Sequence, residues 1–99
     1  MLNIDKTKEG TNLSLKLEGR LDTNTAPQLE TEVKENIEGI ENLAFDFADL
    51  QYISSAGLRV LLSTQKIMNK QGSMVVKNSP SEILEIFEVT GFSDILTLE

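Results

Sequence analysis

The strongest constraint in this chain is a change of period. Leu13, Leu15 and Leu17 alternate with Ser14, Lys16 and Glu18. A period of two places three leucines on one face and three polar side chains on the other, the pattern of a half-buried strand. A few residues later the spacing lengthens. Ala26, Leu29, Val33 and Ile37 stand three or four apart, which is the apolar stripe of an amphipathic helix. The switch then recurs. Leu43–Phe47 is a short apolar run, Leu58–Gln71 returns to helical spacing, Met74–Val76 reads as strand, and Ile83, Leu84, Ile86 and Phe87 supply the face of a last helix. A chain that alternates in this way must lay helices on a sheet.

Boundary residues sharpen the order. Leu2 and Ile4 alternate with Asn3 and Asp5, and Lys8 to Asn12 holds the Gly and Asn of a turn, so the chain opens as a hairpin. Thr25-Ala26-Pro27-Gln28 has a Thr cap, a first-turn proline and Gln at the capping-box position; Ser79-Pro80-Ser81-Glu82 repeats that grammar with Ser79 as cap and Glu82 closing the box. Gly39, Gly72 and Gly91 are placed to end helices. Phe92, Ile95, Leu96 and Leu98 form a last apolar patch that docks the C-terminal segment. Leu43–Phe47 shows little alternation, as expected of a strand covered on both faces. Asp46 interrupts it and needs a partner or an exit. The expected fold is one α/β domain over residues 1–99, with a mixed sheet of four to five strands packed with about four helices.

Several function classes lack their residues. The chain has neither Cys nor His. Disulfides, thiolate chemistry and the commonest general base and transition-metal ligand are therefore missing. No nucleophile elbow, Gly-rich phosphate loop or dinucleotide fingerprint occurs. Asp22, Asp46 and Asp49 do not have calcium-loop spacing, so no metal is expected. The net charge of −7, without a basic cluster, argues against nucleic acid. No stretch approaches the ~18 apolar residues of a membrane span, so direct membrane insertion is not expected. The polar start from Met1 to Asp5 lacks the apolar core of a signal peptide, and a cytoplasmic protein is the expectation.

That leaves the junction between the Leu43–Phe47 strand and the helix from Leu58. Ser54 and Ser55 stand there, on or just before a first helical turn, where amides are unpaired and the dipole is positive. From the residues alone a serine here is either a cap or a place where a phosphate is tolerated. At 100° per residue, Leu58, Leu61, Leu62, Gln65 and Met68 share the core face of the helix, with Arg59, Ser63, Lys66 and Lys70 opposite. Val60, Thr64 and Ile67 form a second stripe, which either packs on a neighbouring helix or serves as a docking ridge starting at Ser55.

The run Tyr52-Ile53-Ser54-Ser55-Ala56-Gly57-Leu58-Arg59-Val60-Leu61-Leu62 resembles the signature of the STAS domain of bacterial anti-sigma factor antagonists. Gly19-Arg20-Leu21-Asp22 with Ala26 is similar to an earlier pattern of that family, and Asp46 fits an acid often carried on the central strand. The resemblance spans nearly the whole chain. It implies that Ser55 is the phosphorylatable residue. Ser54 stands where the family commonly has Asp, and Ala56 occupies the alternative phosphorylation position. It implies a partner surface of Asp22, Thr23, Ser54, Ser55, Ala56, Gly57, Arg59, Val60, Ser63 and Ile67. It implies an anti-sigma factor that is also a GHKL-type serine kinase as partner, and a PP2C-type phosphatase that reverses phosphorylation. Nucleotide and metals belong to those partners, so no cofactor and no catalytic residue is expected in this chain. The resemblance also allows a non-phosphorylated STAS subunit of a lipid-transport ABC assembly or a stress-signalling scaffold. A small-ligand module with a pocket near Ser55 and Asp22 is a further alternative.

Overall fold

The computed structural model describes residues 2–99; Met1, included in the polar start above, lies outside them. The elements are β1 (Leu2–Glu9), β2 (Asn12–Leu21), α1 (Ala26–Asn36), β3 (Asn42–Ile53), α2 (Ser55–Gln71), β4 (Ser73–Lys77) and α3 (Ser81–Thr90), followed by a single 3-10 turn at Phe92–Asp94. The expected α/β architecture is present, with three α-helices and the 3-10 turn. The sheet order is β1-β2-β3-β4. β1 is antiparallel to β2, closed by a tight turn at Gly10 (φ +59°), whereas β3 and β4 run parallel to β2. A parallel bridge from Val76 to Leu98 adds the stub of a fifth strand.

Burial shows which face the helices occupy. Leu13, Leu15, Leu17, Leu43, Phe45, Phe47, Met74 and Val76 are all buried, and Leu29, Val33, Leu61, Met68, Ile83 and Phe87 from the helices close over them. The alternate residues Ser14, Lys16, Glu18, Ala44, Asp46, Val75 and Lys77 are half-buried or exposed. The sheet is therefore covered on one face only. Leu43–Phe47 is not covered on both faces, as the sequence pattern suggested; the short Ala44 and the polar Asp46 occupy the open face and disguise the alternation. Asp46 finds its partners there. Its Oδ1 accepts from the Ala48 amide (3.0 Å) and the Asn78 side chain (3.2 Å). The Ala48 amide, against an opposing effect of burial and with help from Asn78, Lys16 and Lys77, holds the carboxyl below its ordinary value.

The helix starts differ from the expected boxes. Thr25 occupies the cap position of α1, but its side chain makes no cap bond. Its hydroxyl accepts from the Asp22 amide and donates to the Arg20 carbonyl, both at 2.8 Å. Gln28 does not close a box; its amide reaches the Leu2 carbonyl on β1 at 3.0 Å. At α3 the cap is Pro80, one residue later than expected, and neither Ser79 nor Glu82 forms a box. α1 ends at Asn36, with Gly39 (φ +80°) in the turn beyond it, and Gly91 (φ +82°) ends α3 as expected.

Candidate functional site

β3 and β2 reach their C-terminal ends together. Leu21 pairs with Ile53 in register, and the Ser54 amide donates to the Leu21 carbonyl at 2.8 Å. This bond seats the β3–α2 junction beside the β2–α1 loop. The chain turns into helix at once because Ser54 is extended (φ −98°, ψ 173°) and its hydroxyl accepts from the Gly57 amide at 3.3 Å. Ser54 is therefore the cap of α2. Asp and Ser are near-equivalent caps, so Ser54 does without charge what an Asp would do at this position.

With the cap provided by Ser54, Ser55 is released from structural duty. It is the first residue of α2 and is exposed. Its hydroxyl takes part in none of the side-chain hydrogen bonds among the described residues. Helix entry also explains Gly57. A Cβ at this position would lie 2.7 Å from Leu21 Cγ and 3.0 Å from Ile53 Cγ1. Only a residue without a side chain lets the first turn of α2 press this closely on the strand ends.

The loop from β2 to α1 is organised by Asp22. Its Oδ1 accepts from the amides of Asn24 and Thr25, both at 3.0 Å, and its Oδ2 lies 3.8 Å from Arg20 Nε. Desolvation would raise the Asp22 pKa, but the Thr25 and Asn24 amides, the Thr25 hydroxyl and Arg20 outweigh it and hold the carboxyl below its ordinary value. Arg20 in turn lies over the Tyr52 ring, 4.4 Å from its centroid. Asp22 is thus a loop organiser at the rim of the junction.

Between α1 and α2 runs a groove of about 350 Å3, lined by Thr23, Ala26, Pro27, Glu30, Ala56, Arg59, Val60 and Ser63. A smaller hollow continues it past Val33, Thr64 and Ile67. Of the residues singled out in the sequence, Thr23, Ala56, Arg59, Val60, Ser63 and Ile67 border this groove. Val60 and Thr64 are buried against α1, so the second stripe of α2 is first a helix–helix contact, and Ile67 remains 37% exposed at its end. Ser54, Ser55 and Gly57 form the junction around Ala56, which lines the groove, but do not line it themselves; Asp22 stands on the adjoining loop.

The far wall was missed. Ala26, Pro27, Glu30 and Lys34 on α1 were read only as helix-start, core and solvated-face residues. The Val60–Thr64–Ile67 stripe, with its two readings of helix contact or docking ridge, is the available signal, because a helix packed there must bring its own polar flank. Among the described residues no cluster of acidic side chains has metal-holding geometry, and no helix is long and apolar enough to cross a membrane.

This geometry has relatives. The family model for the STAS domain matches residues 3–99. The chain is 28% identical over 98 residues to the anti-sigma-B factor antagonist of Bacillus subtilis, covering 98% of this chain and 90% of that one. It is 37% identical over 81 residues to BtrV of Bordetella bronchiseptica, covering 80% and 70% of the two chains. The crystal structure of an anti-sigma factor antagonist from Mycobacterium paratuberculosis has the same fold (TM-score 0.89, 19% identity, 99% of this chain and 85% of that chain).

Proposed function

The chain belongs to the STAS domain family, and on that premise we propose that it is an anti-sigma factor antagonist working by partner switching. Unphosphorylated, it binds an anti-sigma factor that is also a GHKL-type serine kinase, and so frees the sigma factor or other client. The kinase phosphorylates Ser55 and the complex dissociates; a PP2C-type phosphatase restores the binding form. The domain acts in the cytoplasm as a binding regulator without catalysis or cofactor of its own.

One observation carries this reading. Two adjacent serines stand at the junction; one is consumed as the cap and the other is left exposed, next to Ala56 of the groove lining. Phosphorylation adds about −1.5 to −2 charge and three acceptor oxygens. On a chain of net charge −7, under a partner that must cover the site, this brings repulsion and a desolvation cost. A loss of about 3 kcal/mol lowers affinity more than a hundredfold. Because Ser54 holds the cap independently, the fold survives the modification.

A second reading is a non-phosphorylated STAS subunit of a lipid-transport ABC assembly or a stress-signalling scaffold. The uncharged Ser54 in place of the family's usual Asp favours it. Affinity capture from native lysate with wild type, Ser55→Ala and Ser55→Asp as baits separates the two. Partner switching requires wild type and Ser55→Ala to retain a GHKL-type kinase that Ser55→Asp loses. If all three baits retain one and the same transporter ATPase, the phospho-switch is wrong and the junction is a docking face.

A further inference from the structure

We propose that a phosphoryl group on Ser55 is met within the domain by Arg59, so that modification withdraws this guanidinium from the groove. The inference rests on the reading of Ser55 as a phosphorylation site and says how that site is regulated.

Ser55 and Arg59 are four residues apart in the unbroken helix α2, and both are exposed. Side chains at that spacing lie on one face, with about 5–6 Å between their Cβ atoms. The order is the favourable one, anion toward the N-terminus and cation one turn on. A guanidinium also matches phosphate oxygens with paired donors.

The neighbourhood leaves Arg59 available. The ion pairs among the described residues are Lys6–Glu32, Lys16–Asp49, Arg20–Asp22 and Lys34–Glu30, and Arg59 is in none of them. Glu30 lines the same groove as Arg59, Asp22 stands on the loop beside the junction, and both carboxylates have partners. Glu30, across the groove on α1, is 3.3 Å from Lys34. Asp22 is held by two amides and Arg20. At the cap itself Ser54 is neutral, so no carboxylate there draws Arg59 away or repels an added phosphate. The nearest uncommitted dianion for Arg59 would be the phosphoryl group one turn below it. Unphosphorylated, the same guanidinium borders the groove and is free to contact a partner. Phosphorylation then acts twice, by adding negative charge and by removing this cation.

The test uses the full chain with phosphoserine installed at position 55 during translation, so that no kinase is needed. The second ionisation of the phosphate is followed by 31P NMR in three backgrounds: otherwise wild type, Arg59→Gln and Arg59→Lys. Pairing predicts a midpoint at least about 0.3 pH unit lower with Arg59 than with Gln, with Lys between them. The difference should shrink in high salt. Equal midpoints for Arg59 and Gln would overturn the pairing. The two readings fail separately: equal midpoints leave partner switching at Ser55 standing, whereas capture that ignores Ser55 removes the switch without altering a measured midpoint.

Discussion

Replacing Gly57 by alanine tests the helix entry most directly. The added Cβ would lie 2.7 Å from Leu21 Cγ and 3.0 Å from both Leu21 Cδ2 and Ile53 Cγ1. Leu21 is fully buried and Ile53 is 3% exposed, so neither has open space to move into. The near atom on Leu21 is the branch point of the side chain, which cannot swing aside as a terminal methyl can. Overpacking of this kind costs about 1–3 kcal/mol. Alanine returns at most about 1 kcal/mol through its better helix propensity. With the full alanine gain the net loss is about 0–2 kcal/mol and with none about 1–3, so the central expectation is about 1–2 kcal/mol, or a fall in Tm of about 4–16 °C for a chain of this size. Urea unfolding followed by far-UV circular dichroism measures it, with an unchanged m-value indicating that only stability moved. Leu21→Ala provides the cross-check. On its own it costs about 2–5 kcal/mol, but it removes the two Leu21 atoms that Gly57→Ala would strike, the nearest among them, and leaves only the contact with Ile53 Cγ1 at 3.0 Å. In that background the Gly57 substitution should cost little or become favourable, a coupling of at least about 1 kcal/mol. A Gly57→Ala protein as stable as wild type, or equal costs in the two backgrounds, would refute the close-approach argument.

Two further expectations concern the same end of the molecule. Ser54→Ala removes the α2 cap and should cost about 1 kcal/mol in urea unfolding, while Ser54→Asp should be near-neutral because Asp caps equally well; an unchanged Ser54→Ala protein would show that the hydroxyl bond to Gly57 contributes nothing, and a loss in Ser54→Asp equal to that of alanine would refute the equivalence of the two caps. Asp22 and Asp46 both have carboxyls held below their ordinary value. A depressed carboxyl stabilises the fold above its unfolded pKa near 4 and loses that contribution as pH falls through the lower folded value. Urea midpoints should therefore fall on acidification below about pH 4, and less steeply in Asp22→Asn and Asp46→Asn; an unchanged acid slope in both variants would contradict the assignment.

Period and punctuation were enough to order the elements. The Leu13–Leu17 alternation and the Ala26–Ile37 stripe are buried as their spacing requires, and Gly91 ends α3 where it was placed. Harder to see was the length of β3, which continues to Ile53. Register shifts between Lys16 and Glu18 and between Gly19 and Arg20 break the period of two, so Phe47, Leu50 and Ile53 fall three apart and do not look like a strand. The caps misled for a different reason. The Thr25 hydroxyl is taken up by the Asp22 amide and the Arg20 carbonyl instead of an amide of α1, in a loop whose shape depends on β2, and local spacing carries no trace of that. At the site, the Ser54–Gly57 junction was legible because its chemistry is local. The groove was only half legible, since one wall lies on α1 and is brought there by packing.

The three parallel strands start from a common line. Asn42 donates its side-chain amide to Asn12 and accepts from the Ser73 hydroxyl, contacts that span 30 and 31 residues of chain. Gln71 reaches the carbonyls of Ile37 and Ile40, and a Cβ on Gly72 would collide with the Glu41 carbonyl. Each βα unit is thus cut to nearly the same length and returned to the same place, with no slack there for an inserted residue. The opposite ends are less even: β2 and β3 run on together to the Leu21–Ile53 pair, whereas β4 stops at Lys77 opposite Asp46, so the loop at Asn78 leaves the sheet earlier. Added length therefore meets least resistance in the loop after Lys77, away from both the strand starts and the Ser54–Gly57 junction. What a partner meets at the Ser55 end can change by substitution of exposed side chains while the strand starts keep their count.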